Sequence, residues 1–162
     1  MLVISMETPK KHIFYIRGTR LKFEKNTYHW SMAKEAVEAA LGNWIIHFAP
    51  GQSTIVTSDM STVDLLVREK CIKLNKKMII YRTDLSIEII DENGKSKILG
   101  RKIECTDGNV LSAINKTIKN DLSKDDLDVH GCWVSFTKNS VADTTKMYIS
   151  PEQVKTLYSF SL

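Results

Sequence analysis

The sequence predicts an α/β domain built on a mostly parallel sheet flanked by helices, with a β-hairpin insert. Three observations carry that prediction. Strand-length apolar runs alternate with stretches of helical periodicity, the signature of βαβ units. Residues 55–81, IVTSDMSTVDLLVREKCIKLNKKMIIY, run as strand, polar turn, helix, turn, strand with short links. Asn93-Gly94 sits between two strand-like runs, the strongest short-range hairpin signal.

In chain order, residues 1–11 form a frayed lead-in. Residues 12–17 (HIFYIR) are β-branched and aromatic, which suits a strand. Gly18-Thr19-Arg20 turns the chain. Residues 21–24 then either pair back as a hairpin or form a loop into a helix. A helix follows over residues 31–41, where Ala33, Ala36, Val37, Ala40 and Leu41 share a face. Ser31 can cap its start and Gly42-Asn43 can stop it. Apolar residues 44–48 end at Pro50-Gly51.

Residues 54–57 make a short strand, and residues 57–62 a polar turn. The second helix, residues 62–74, carries Val63, Leu66, Val67, Cys71 and Leu74 on one side. Asn75 suits a left-handed cap. Residues 78–81 are nearly all apolar, as in a strand buried on both faces.

The hairpin spans residues 85–90 and 95–104. Asp107 can cap a third helix bearing Val110, Ile114 and Ile118. Residues 123–128 form an acidic loop and residues 132–136 (CWVSF) another strand. Asp143 or Thr144 can open a short helical turn, and Pro151 a last helix over residues 152–158. The whole is one domain: a βαβ core over residues 12–84, the hairpin over 85–104 and a completing helix-strand-helix over 105–162.

The bulk numbers agree with a globular domain. A chain of 162 residues can bury a real core. No apolar run approaches the roughly 20 residues that span a bilayer, and the N-terminus lacks the order of a secretory signal. Neither a membrane span nor a leader is therefore expected. Three widely spaced cysteines predict reduced, mostly buried thiols and a cytoplasmic setting. The net charge of +4 permits contact with phosphate or nucleic acid without demanding it. Lysine outnumbers arginine 18 to 5, and Ile and Asn are common, a composition expected of an AT-rich genome such as a phage's.

Two polar turns are candidate ligand sites. The first follows the residue 54–57 strand, where backbone N–H groups and the helix dipole favour an anion. Thr57, Ser58, Ser61 and Thr62 can add hydroxyl donors. The same Ser61-x-x-Asp64 pattern also caps the helix without any ligand. The second turn, residues 137–146, brings Thr137, Lys138, Ser140, Asp143, Thr144 and Lys146 after a late strand. No Cys-x-x-Cys, His-Glu-x-x-His or nucleophile-elbow pattern is present, so neither a metal, a cofactor nor a catalytic group is assigned.

Residues 12–84 resemble the SLOG superfamily, the Rossmann-like group that includes DNA-processing protein A and the LOG enzymes. The nearest form is its small single-domain branch of phages and bacteria. Gly18-Thr19-Arg20 stands where that family ends its first strand with Gly-Ser/Gly-Arg. Ser58-Asp59-Met60-Ser61-Thr62-Val63-Asp64 fills the place of Gly-Gly-Ala-x-Gly-Ala-Asp, with the Asp kept and Ser58, Asp59 and Thr62 replacing the glycines. Cys71, Asn75 and residues 78–81 then run in step.

The resemblance implies a Rossmann-like module, non-catalytic or degenerate, that binds a nucleotide or other phosphate ligand. Its site would comprise Gly18, Arg20, Thr57, Ser58, Ser61, Thr62, Asp64, Ser140 and Thr144. Arg20 would pair with the anion, and Asp64 would hold the turn or meet a ribose. A second reading makes the chain a small basic regulator, of the kind a phage encodes, that binds DNA or a host protein. Lys10, Lys11, Arg17, Arg20, Lys22, Lys25, Lys95, Lys97, Arg101 and Lys102 would then carry the contact.

Overall fold

A computed structural model describes residues 10–48, 51–139, 143–147 and 149–162. The lead-in of residues 1–9, Pro50 and Ser140 lie outside the described residues. The described elements are β1 (Lys11–Gly18), α1 (Tyr28–Ile45), β2 (Ser53–Ser58), α2 (Thr62–Lys73), β3 (Met78–Tyr81), β4 (Ile87–Ile90), β5 (Ser96–Ile98), α3 (Val110–Leu122), β6 (Leu127–Thr137) and β7 (Val154–Ser161). The strands form a single sheet in the order β5-β4-β3-β2-β1-β6-β7. From β3 to β7 every neighbouring pair is parallel. β4 pairs antiparallel with β3, and β5 antiparallel with β4. The Asn93-Gly94 hairpin thus continues the main sheet as its edge.

Period-two alternation sorts each strand between two cores. Phe14 and Ile16 of β1, Ile55 of β2 and Val134 and Phe136 of β6 pack under α1 and α2. Ile13 and Tyr15, Val56, Val129 and Trp133 face α3 with Ile114 and Ile118. β1 is covered on both faces, which explains why HIFYIR is so continuously apolar. Cys71 and Cys132 are free and buried, and burial pushes both thiols up to about 12. Among the described residues no helix is long and apolar enough to cross a membrane.

α2 begins at Ser61, whose side chain accepts from the Asp64 N–H. It ends before Asn75, which adopts φ 54°. Four elements differ from the sequence expectation. α1 starts at Tyr28 behind a Thr27 cap and runs through Gly42-Asn43 to Ile45. Trp44 explains the extension: its ring stacks on Phe14 at 5.0 Å and its indole donates to Ser53 Oγ at 3.2 Å. That packing outweighs the roughly 1 kcal/mol helix cost of a glycine. Asn109, not Asp107, caps α3, while Asp107 accepts from the Asn109 N–H. β6 begins at Leu127, inside the expected acidic loop, because β1 needs a partner from Lys11 onward.

The last helix is instead a strand. Pro151–Gln153 make only a 3-10 turn, and Val154–Ser161 alternate half-buried with exposed residues as β7. Tyr158 and Phe160 pack on the α1 side of the sheet. Residues 21–24 are loop, not hairpin.

Candidate functional site

The sheet has one topological switch point, between β1 and β6, where the strand order reverses. In open α/β sheets ligands bind there, beyond the carboxyl ends of the strands. β1 ends there in Gly18 and β6 in Thr137. Gly18 is set by space: an added Cβ would lie 2.5 Å from Val63 Cγ2 and 2.9 Å from the Val134 carbonyl oxygen. The glycine lets the start of α2 close against β1.

The turn after β2 is packed inward. Thr57, Ser58, Ser61, Thr62 and Asp64 are all buried. Ser58 Oγ donates to the Tyr81 carbonyl at 2.6 Å. Thr57 Oγ1 donates to Asp64 Oδ1 at 3.4 Å. The Thr62 N–H donates to the Leu21 carbonyl at 3.0 Å, and Thr62 Oγ1 accepts from the Phe23 N–H at 2.7 Å. The loop after β1 thereby occupies the start of α2, where an anion would sit. Asp59, on this turn, accepts from the Thr83 N–H at 2.9 Å and so ties the turn to the β3–β4 link.

The Asp64 carboxylate lies inside this turn. Its carboxylate accepts from the Met60 N–H at 3.0 Å and lies 3.8 Å from Arg17 Nε. Burial pushes the Asp64 carboxyl up, opposed by the Arg17 charge and by the hydrogen bonds from Met60, Ser61 and Thr57. Arg17 also donates to Tyr15 Oη at 3.1 Å and to Asn115 Oδ1 at 3.2 Å. Tyr15 Oη in turn donates to the Met147 carbonyl at 3.1 Å. One buried network therefore joins β1, the β2 turn, α3 and the segment after β6.

Above this network lies an open cavity of about 250 Å³. Gly18, Thr19 and Arg20 line one side, and Asp143 and Lys146 another. Trp133, Ser135 and Thr137 of β6 form its wall, beside Leu111 of α3. Arg20 and Lys146 are exposed, and so is Asp143. Trp133 Nε1, Ser135 Oγ and Thr137 Oγ1 are shielded from solvent and have no hydrogen-bond partner among the described residues. An unsatisfied buried polar group costs about 1–3 kcal/mol, a cost that these three place along one strand beside the cavity.

The structure thus joins Gly18 and Arg20 with the second turn, through Thr137, Asp143 and Lys146. It keeps Thr57, Ser58, Ser61, Thr62 and Asp64 in the interior below. Thr144 opens the 3-10 turn Thr144–Met147. Trp133, Ser135 and Leu111 escaped the sequence reading. The available signal was polar Ser135 at period two from Trp133 and Thr137 in an otherwise apolar strand.

The basic residues do not form one face. Lys10 and Lys11 stand at the start of β1, whereas Arg20, Lys22 and Lys25 follow its end. That separation is roughly 23 Å at about 3.3 Å per residue. Arg17 is 5% exposed and belongs to the buried network. Lys95 precedes the far edge strand and Lys97 lies within it, and Arg101 is paired with Asp121. No group of three His, Cys, Asp or Glu able to hold a metal occurs among the described residues. Comparison with protein-family models, curated proteins and solved structures finds no match to the chain.

Proposed function

We propose that the chain is a non-catalytic binding module for a nucleotide or other phosphate-bearing small molecule. The observation that carries this reading is the cavity at the β1/β6 switch point, with Arg20 and Lys146 on its rim. Two cations at the mouth of a concave site favour an anion, and they stand at the strand ends where phosphates are held in such sheets. Asp143 is the one carboxylate among the described lining residues, and no His or Cys joins it, so the lining offers binding groups rather than an acid–base pair.

The test is a thermal-shift series with inorganic phosphate, ribose 5-phosphate, AMP, ATP and NAD at low and moderate salt. A phosphate-bearing compound at millimolar concentration should raise Tm, and Arg20→Ala should remove the shift. No shift from any of them refutes the reading. Duplex DNA is the other arm, for the alternative of a basic regulator. Contact through several phosphates would weaken steeply with salt, and the scatter of the lysines over opposite ends of the sheet gives that alternative less support.

A further inference from the structure

We infer that the site at the β1/β6 switch point continues along α3 and takes a small molecule bearing two or more phosphate groups, one at the Arg20–Lys146 rim and a further one against Asn115, Lys116 and Lys119. This rests on the reading of the cavity as a phosphate-ligand site and names the class of molecule it takes. A second cavity, of about 370 Å³, runs along α3 and is lined by Asn109, Leu111, Ser112, Asn115, Lys116 and Lys119. Leu111 also lines the first cavity, so the two adjoin. Residues 112, 115, 116 and 119 recur at helical spacing and share one face of α3. Ser112, Lys116 and Lys119 are exposed there. Neither lysine is ion-paired among the described residues. No carboxylate joins the described lining, and Asp121, the one acid of α3, is engaged by Tyr81 and Arg101.

Asn115 gives this second cavity a fixed donor. The residue is 3% exposed. Its Oδ1 accepts from Arg17 at 3.2 Å, and Arg17 is itself held by Tyr15 and Asp64. That bond sets the amide's orientation: the oxygen faces the buried network, and Nδ2 faces the cavity that Asn115 lines. Nδ2 has no hydrogen-bond partner among the described residues, and, unlike Trp133 Nε1, it is not closed to solvent. An amide nitrogen carries two N–H donors and no acceptor. A phosphate oxygen complements it, and the two lysines supply the countercharge. The span decides the number of phosphate groups. A helical rise of about 1.5 Å per residue puts Asn115, Lys116 and Lys119 about 6, 8 and 12 Å along α3 from Leu111, where the cavities adjoin. One phosphate at the Arg20–Lys146 rim does not cover that span, whereas a second group on the same molecule does.

The experiment is calorimetric titration of the full chain with sodium phosphate, sodium tripolyphosphate and fructose 1,6-bisphosphate at one ionic strength. It is run on the wild type, Lys116→Gln/Lys119→Gln and Asn115→Asp, with circular dichroism to check each fold. Lys95→Gln/Lys97→Gln, at the far edge strand, is the charge-matched control. Tripolyphosphate or the bisphosphate should bind about tenfold or more tighter than phosphate, the gain from tethering a second group. Lys116→Gln/Lys119→Gln should narrow that ratio about fivefold, the effect of two exposed charge contacts. Asn115→Asp keeps an acceptor for Arg17 and replaces the outward donor by an acceptor, and it should narrow the ratio as well. The control should leave the ratio as in the wild type. Tighter tripolyphosphate assigns a linear chain, as on nucleoside triphosphates, and tighter bisphosphate assigns groups held apart on one body. A wild-type ratio near one, or a ratio that either variant leaves at the control's value, overturns the inference with the single-phosphate site intact. Absence of binding by all three compounds removes the underlying reading and the inference with it.

Discussion

Gly18→Ala tests the contact on which the site is built. The added methyl would sit 2.5 and 2.6 Å from two Val63 atoms and 2.9 Å from the Val134 carbonyl. Ordinary contact begins near 3.4 Å, so Val63 must retreat by close to an ångström. Val63 is on the first turn of α2, and β6 backbone blocks movement the other way. Overpacking of this kind costs about 1–3 kcal/mol. Tilting α2 away also stretches the Thr62–Leu21 and Phe23–Thr62 hydrogen bonds, each worth about 0.5–1.5 kcal/mol. Partial loss of both brings the total to about 2–5 kcal/mol. At about 2–4 °C per kcal/mol for a domain of this size, Tm should fall by roughly 4–20 °C. Urea melts of Gly18→Ala, Val63→Ala and the double variant measure the coupling. The double variant should be more stable than the sum of the singles predicts by over about 0.5 kcal/mol, since removing Val63 Cγ atoms relieves the overlap. A Gly18→Ala protein within about 0.5 kcal/mol of wild type would refute the close approach of α2 to β1.

Four further outcomes follow from the same structure. Gly42→Ala, at an exposed position inside α1 with nothing within 4 Å of the new methyl, should raise stability by about 0.5–1 kcal/mol in a urea melt; a loss would instead put Gly42 in a left-handed cap. Arg17→Ala should cost about 3–5 kcal/mol by stranding buried Asp64. Arg20→Ala should stay within about 0.5 kcal/mol of wild type yet lose the ligand-induced Tm shift. Finally, burial raises the Glu88 carboxyl, but hydrogen bonds from Arg68 and Ser96 and the charges of Arg68 and Arg82 outweigh it and hold it below the ordinary 4.5. A carboxyl lowered in the folded state binds fewer protons there than in the unfolded chain. Its stabilisation is therefore full above the ordinary value and is lost as pH falls through the lowered one. Stability measured from pH 7 downward should drop less steeply in Glu88→Gln than in wild type; parallel curves would count against the assignment.

The fold was legible where local pattern and tertiary demand agree. β2, α2 and β3 were readable because a strand buried on both faces must be apolar, and because Ser61 and Asn75 are residues whose side chains favour the two ends of a helix. Legibility failed where a distant partner decides. Nothing within residues 40–46 says that Trp44 has Phe14 to stack on, so Gly42 looks like a stop. Pro151 suits a helix start, and only the free edge of β6 turns Val154–Ser161 into a strand.

The site shows the same division at finer scale. The hydroxyl-rich turn after β2 has the composition of an anion site, but composition does not reveal that the loop after β1 donates Phe23 N–H and offers Leu21 carbonyl to that very turn. A polar residue acquires binding meaning only when its partners are counted, and partners come from elsewhere in the chain. By that count Thr57, Ser58, Ser61 and Thr62 are satisfied within the fold, whereas Trp133, Ser135 and Thr137, which look like an ordinary strand, are the groups with bonding capacity left over. Ser58, Asp59 and Thr62 close the turn onto β3, the β3–β4 link and the β1 loop. The proposed ligand site is the opposite lip of the crevice, between β1 and β6.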